Sequence, residues 1–305
     1  MTEIKLICGN WGTSNLRAFG VSAQGELLTD IETGAGIASL SKAEQETTWF
    51  EAIAPLQDHA PKVPHLICGM AGSNLGWLET GYVETPATLV AVSNALRWET
   101  RGGIKIGIVP GLSGKSWAGM PERMRGEETE ILGAISRFNI SDATLCLPGT
   151  HTKWVRIKDG KIDQFNTAIT GELFAVLSEN SILKPSAPQV HSITAFEAGA
   201  KLGLSNEGGD LIHRLFATRS QHLAGDLKPG HTAAFLSGLL IGADVRGAMN
   251  ALSHQRAPIG IIGETALSSR FAHVLALAGA QARFYPSERC VAAGLAALAR
   301  AGGKL

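Results

Sequence analysis

The sequence is short of most features that mark a specialised environment. Cysteine is scarce: Cys8, Cys68, Cys146 and Cys290 are dispersed, with no Cys-x-x-Cys. Three lie in apolar, strand-like runs, which is the pattern of reduced, buried, structural thiols rather than of a disulfide framework. A surplus of either charge is also missing. Lys+Arg number 27 and Asp+Glu 27, with no dense basic block, so a nucleic-acid backbone would find no electrostatic driving force here. Long apolar runs are absent too. The longest, Ala233 to Val245, is broken by Ser237, Gly238 and Gly242 and falls short of the roughly 20 residues of a membrane span. At the N-terminus, Met1-Thr2-Glu3-Ile4-Lys5 puts an acid where a secretory signal has its basic region, so a cytoplasmic location is expected.

Several motifs are missing as well. No strand leads into Gly-x-Gly-x-x-Gly with an acid some twenty residues on, and neither His-Glu-x-x-His nor Gly-x-Ser-x-Gly occurs. The nine histidines have no metal spacing, so no zinc site is expected. Gly111-Leu112-Ser113-Gly114-Lys115-Ser116 imitates a Walker loop, but the required first glycine falls at Val109 and Pro121 interrupts the helix that should follow.

What is present is a chain of 305 residues, 45% hydrophobic, enough to bury a large core and divide into two domains. Its 36 glycines exceed the usual ~7% and gather where apolar strands end, at Gly12, Gly69, Gly72, Gly111, Gly149 and Gly263. Strand-like runs are expected at 5–8, 16–21, 66–68, 104–109, 144–147, 153–157 and 259–262. Apolar spacings of three and four predict helices over 43–56, 93–98, 129–138, 173–181, 194–204, 233–250, 268–278 and 291–301. The class is therefore α/β.

One pattern occurs twice: strand, Gly-Thr, basic strand, glycine turn, strand. The copies are LICGNWGTSNLRAFGVSAQGEL, from Leu6, and TLCLPGTHTKWVRIKDGKI, from Thr144. Each has a basic residue after its Gly-Thr, Arg17 or Lys153, and each closes near a turn, Gly25 or Asp159-Gly160. Chance likeness between hairpins is the plain alternative. Glycine lets successive N–H groups converge on an anion, and threonine adds a hydroxyl donor. Two such loops could hold the phosphates of a nucleotide, with Arg17 and Lys153 offsetting the charge.

A third feature is Arg125-Gly126-Glu127-Glu128-Thr129-Glu130. Acids at a helix start are explained simply by the positive helix end. Yet Glu127 and Glu128 flank the apolar stripe of Ile131, Ala134, Ile135 and Phe138, so at least one could accept a proton from a sugar hydroxyl attacking a phosphoryl group. Periodicity leaves open which of the two it is.

Together, GNWGTSNLRA, CGMAGSNLGW, MRGEETEILGA, PGTHTKWV, TGEL and FLSGLLIGADV resemble the 2-dehydro-3-deoxygalactonokinases, in the right order over nearly the whole chain. That family belongs to the sugar kinase, heat-shock-protein-70 and actin superfamily. The resemblance implies two ribonuclease-H-like (actin-like ATPase) domains with a nucleotide and substrate cleft between them, here 1–135 and 136–305, with the last helix, 291–301, returning to the first. It also implies ATP-dependent, Mg²⁺-assisted phosphorylation of 2-dehydro-3-deoxy-D-galactonate at its 6-hydroxyl.

Carried over by position, Gly12, Thr13 and Arg17 resemble the first phosphate loop, and Gly149, Thr150 and Lys153 the second. Glu127 stands where related kinases place the base, with Glu128 in reserve. Ser73, Asn74 and Trp77 resemble the sugar loop, Gly263 and Thr265 the adenosine loop, and Thr170, Gly171 and Glu172 are cleft residues, Glu172 being placed with the substrate contacts. The family pattern has Asp-Trp-Gly where this chain has Asn10-Trp11-Gly12. An aspartate there helps hold hydrated Mg²⁺, so metal handling is the expected weak point, with Glu127 or Glu172 compensating. Two other readings stand beside this one: a superfamily kinase for another sugar or sugar acid, and a weakly catalytic nucleotide- or sugar-binding protein. A homodimer is compatible with the sequence.

Overall fold

A computed structural model describes residues 3–252, 258–263 and 265–305. The chain separates into two compact units. The first comprises 1–143, 155–165 and 285–305, the second 144–154 and 166–284.

The first unit opens with β1 (Leu6–Trp11), β2 (Leu16–Val21), β3 (Leu27–Thr33), α1 (Lys42–His59) and β4 (His65–Gly69). It continues through β5 (Tyr82–Glu84), α2 (Leu89–Asn94), β6 (Arg97–Arg101), β7 (Ile104–Ile108), β8 (Gly111–Lys115), β9 (Pro121–Met124) and α3 (Glu127–Phe138). Six of these strands form one sheet in the order β3-β2-β1-β4-β7-β6. β1 and β4 run parallel, with Ile7 opposite His65 and Trp11 opposite Gly69; β4 and β7 are parallel too. One face packs α1 through Ile7, Trp11, Trp49, Ile53 and Ile67, all fully buried. Each such aliphatic side chain contributes about 1.5–3 kcal/mol on burial. Ser41 and Glu44 form a capping box that starts α1.

The rest of the chain supplies β10 (Ala143–Leu147), β11 (Thr152–Lys158), β12 (Lys161–Ala168), α4 (Thr170–Asn180), α5 (Ile193–Leu204), α6 (Leu211–Leu215), α7 (Ala217–Ala224), α8 (Thr232–Ala251), β13 (Ile259–Ile262), α9 (Ala266–Leu277), β14 (Ala282–Tyr285) and α10 (Ser287–Ala301). The second sheet has the order β12-β11-β10-β13-β14, with β10 and β13 parallel. Its first four positions repeat the β3-β2-β1-β4 order of the first sheet. Both copies of the Gly-Thr pattern are thus realised as strand, loop, strand, tight turn, strand, the turns falling at Gly25 (φ 85°) and at Asp159-Gly160 (φ 51° and 69°). In the second unit α8 buries Phe235 and Leu239 against α5, and Leu236 and Leu240 near Leu173 and Phe174 of α4.

α10 lies in the first unit against α3. A Cβ on Gly133 would fall 1.8 Å from the Cys290 carbonyl oxygen, and one on Gly294 would fall 2.1 Å from that of Thr129, so the two backbones touch through glycine. This contact fixes the start of α3.

One expectation needs correction. The helix predicted over 93–98 is displaced: α2 ends at Asn94, and Arg97–Arg101 is a strand. Gly102 and Gly103, both at positive φ, fold that strand back antiparallel on β7, a hairpin signal stronger than the local helical spacing. The small sheet β5-β8-β9 lay beyond the runs identified from hydropathy. The Walker-like stretch, rejected from sequence, is the extended strand β8, paired with β5 and β9.

Candidate functional site

In the first unit the candidate residues sit where parallel strands end, the usual place for ligands on such sheets. β1 delivers Asn10, Trp11 and Gly12, and β4 delivers Gly69. Gly69 has φ +88°, and a Cβ there would lie 2.5 Å from the Trp11 carbonyl oxygen; a Cβ on Gly126 would lie 3.4 Å from the Gly69 Cα. The ends of β1 and β4 and the start of α3 therefore meet within van der Waals reach. That meeting brings the Asn10 strand, the 69–76 loop and Glu127 together.

The two glutamates differ sharply. Glu128 is fully buried; it accepts hydrogen bonds from the Gly126 N–H (2.6 Å) and the Thr129 hydroxyl (3.1 Å). Burial, aided by the Glu127 charge, pushes its carboxyl up to about 8. Glu127 is only partly buried and accepts from the Arg125 N–H at 3.2 Å. Glu130, one turn on, is raised to about 7 by burial and accepts from the Ser287 hydroxyl of α10 at 3.0 Å.

Arg125 is a positioning residue whose role the sequence did not disclose. Its guanidinium donates to the Thr80 hydroxyl (2.6 Å) and carbonyl (3.0 Å) and lies 4.6 Å from the Tyr82 ring centroid. It thus ties Thr80, just past the 69–76 loop, to the entry of α3. Within that loop Ser73 is buried and its hydroxyl accepts from the Leu75 N–H. Trp77 is half-buried and meets Phe50 edge-on at 6.4 Å. Of the three expected sugar contacts, Asn74 alone is exposed.

Gly12 and Thr13 form the β1–β2 loop, their carbonyls accepting from Ile37 and Ala38 N–H groups at 3.1 Å. Asn10 and Arg17 face each other across the β1–β2 register and line one recess of about 30 Å³ with Ser287 and Glu288. Arg17 donates to Glu288 and to Asp30, each at 2.6 Å. The Glu288 bond is the main cause of its raised pKa. The arginine expected at phosphate is here neutralised by two acids.

In the second unit, the loop Pro148–His151 follows β10, and α4 starts directly against it. The Glu172 N–H donates to the Thr150 carbonyl at 2.9 Å. A Cβ on Gly171 would strike the Gly149 carbonyl oxygen at 2.4 Å, so only glycine lets the positive end of α4 approach so closely. Lys153 on β11 is 5% exposed. Glu172 pairs with the His151 ring. Gly263 (φ +129°) ends β13, the parallel neighbour of β10, and Thr265 caps α9 by accepting from the Ser268 N–H at 3.2 Å. The Gly149 loop and the Gly263 turn therefore leave corresponding ends of adjacent strands.

Sequence reasoning missed Asp244. Its carboxylate accepts from the Trp154 indole N–H (2.8 Å) and the Thr170 hydroxyl (2.6 Å), tying α8 to the residue after Lys153 and to the first turn of α4. Burial raises it to about 6. The available signal was its position as the sole acid of α8.

Two cavities belong to this unit. One, about 600 Å³, is walled chiefly by Phe174, Ile193, Phe196, Ala233 and Ala266. The other, about 140 Å³, reaches Gly149, Thr170 and Gly171. Among the described residues, no cluster of three His, Cys, Asp or Glu side chains could hold a metal ion, and no helix is long and apolar enough to cross a membrane.

Comparison with known proteins decides the family. The family described as 2-keto-3-deoxy-galactonokinase matches residues 10–298. The chain belongs to the 2-keto-3-deoxy-galactonokinase family. It is 32% identical over 299 residues to the 2-dehydro-3-deoxygalactonokinase of Escherichia coli (strain K12), covering 97% of this chain and 98% of that one. Identity is also 32% over 295 residues to the probable 2-dehydro-3-deoxygalactonokinase DgoK1 of Rhizobium meliloti (strain 1021), covering 96% and 95%. The crystal structure of a candidate 2-dehydro-3-deoxygalactonokinase from Sinorhizobium meliloti superposes with a TM-score of 0.88 at 31% identity, over 97% and 98% of the two chains. Component A of (R)-2-hydroxyglutaryl-CoA dehydratase from Acidaminococcus fermentans shares the fold alone, with a TM-score of 0.53 at 13% identity over 98% and 99%. The family is one of kinases, and the fold is the two-unit, actin-like ATPase type.

Proposed function

We propose that this protein transfers the γ-phosphoryl group of ATP to the 6-hydroxyl of 2-dehydro-3-deoxy-D-galactonate. The observation that carries the reading is the meeting of β1, β4 and α3 at Trp11, Gly69 and Gly126, in a chain whose family match runs almost end to end. That meeting gathers an acid, a strand-end loop and a sugar-type loop.

In this reading Glu127 is the base. Glu128, raised to about 8, holds its own proton near neutrality and cannot accept another, whereas Glu127 is partly exposed. Asn74 orients the sugar acid from the 69–76 loop, with Ser73 and Trp77 shaping that loop from inside and Arg125 holding it. Gly12 and Thr13 serve the phosphates, and Gly149, Thr150, the start of α4 and the Lys153 ammonium stabilise charge on the transferring group. Asp244 holds the strand and helix that carry them. The larger cavity suits a nucleobase, since its walls are mostly hydrocarbon, and α9, which Thr265 caps, lines it with Ala266, Ser269, Arg270 and His273.

Mg²⁺ fits the oxygen chemistry of Asn10 and Glu127, and when bound it would offset phosphate charge. Such an ion keeps several waters and needs few protein ligands. Asn10 contributes a neutral oxygen, and its neighbour Glu288 is already bound by Arg17, so the set is lean in charge. Glu172, considered as a compensating acid, is engaged by His151.

A coupled ADP-release assay across a panel of sugar acids tests the reading. Turnover on 2-dehydro-3-deoxygalactonate is expected. Turnover confined to another acid would transfer the reading to a different substrate, and ligand-induced stabilisation without turnover would replace catalysis by binding.

A further inference from the structure

We infer that Arg270 grips the inner phosphates of the bound nucleotide; this rests on the nucleotide reading above. The 600 Å³ and 140 Å³ cavities share two lining residues, Phe174 and Arg270. The larger cavity has the size and apolar walls for a base with its ribose. The smaller ends at Gly149 and the first turn of α4, where outer phosphates would be met. A nucleotide occupying both has to pass Arg270, and the part that passes is the anionic chain between ribose and terminal phosphate.

The state of the guanidinium supports this. Arg270 is exposed on α9. Its Nη1 donates to the Ser237 hydroxyl of α8 over a long 3.3 Å, a neutral partner that does not offset the positive charge. Among the described residues no carboxylate lies within ion-pair distance of it, whereas Arg17, Arg101 and Arg156 are each held by acids. The next ionisable group along the same helix face, His273, is itself bonded to Glu197 at 2.9 Å. An arginine has five N–H donors, and the forked geometry of those remaining matches phosphate oxygens. Ser237 acts as the anchor that keeps the side chain at the junction.

Calorimetric binding of ADP and of adenosine to the native protein, Arg270→Ala and Arg270→Lys tests the assignment. Removing a charge-assisted contact should weaken ADP by about 10- to 100-fold in Arg270→Ala, while adenosine changes less than about threefold and Arg270→Lys recovers part of the loss. In turnover, the KM for ATP should rise with the KM for the sugar acid unchanged. Equal weakening of adenosine and ADP would show a contact with base or ribose and overturn the assignment. ADP binding unchanged in Arg270→Ala would overturn it too. Native protein with no affinity for either ligand would overturn the nucleotide reading first, and this assignment with it.

Discussion

Replacing Glu128 by glutamine should make the protein more stable at alkaline pH, even though it removes a side chain from a hydrogen-bonded site. The native carboxyl is fully buried and titrates near 8 rather than 4.5, because burial disfavours the anion and Glu127 repels it. At 1.36 kcal/mol per pH unit, that displacement corresponds to about 5 kcal/mol. The sign follows from proton counting. Between 4.5 and 8 the folded chain keeps a proton that the unfolded chain has released, so stability falls as pH rises through this window and levels off above it. Below 4.5 both states are protonated and the penalty is absent.

Glutamine is neutral throughout and keeps an oxygen to accept from the Gly126 N–H. Urea unfolding followed by tryptophan fluorescence at pH 5, 6, 7 and 8.5 should therefore give native and Glu128→Gln curves that nearly coincide at pH 5. They should separate progressively, the variant leading by a few kcal/mol at pH 8.5, with about 5 as the ceiling. A difference between the two proteins that stays constant from pH 5 to 8.5 would refute the reasoning. It would also reopen Glu128 as the proton acceptor.

Three further outcomes are expected. Glu127→Gln should fold normally, judged by circular dichroism, yet lose about 10²- to 10⁴-fold in kcat, the range for a removed general base; near-native turnover would exclude it from that role. Gly171→Ala should cost about 1–3 kcal/mol, because the new methyl lands 2.4 Å from the Gly149 carbonyl oxygen, and should raise the KM for ATP as α4 backs away from its loop. Asn10→Asp should lower the Mg²⁺ concentration that half-activates the enzyme, since a unit charge at 4 Å is worth about 4 kcal/mol at an effective dielectric near 20, before desolvation. Identical Mg²⁺ curves would show that position 10 does not set metal handling.

The sequence by itself determined the α/β class and the repeated loop. Strands such as Leu16–Val21 and Ile259–Ile262 coincide with their predicted runs, because a buried strand draws most of its residues from a short apolar run, which composition displays directly. Gly-Thr after a strand is likewise local, since a turn is specified by its own few residues. The hairpin of β6 and β7 misled the helical spacing because Gly102 and Gly103, not the apolar period, decide how that segment pairs.

Only the tertiary structure distinguished the site residues from one another. Glu127 and Glu128 are neighbours of the same type, and their difference arises from how α3 packs, the one partly exposed and the other sealed. Arg17 looked free for phosphate until folding brought Asp30 from 13 residues away and Glu288 from 271. Asp244 joined Trp154 and Thr170 across 90 and 74 residues. Charge, burial and hydrogen-bond partners are properties of a surrounding assembled from distant segments, and no window along the chain contains them.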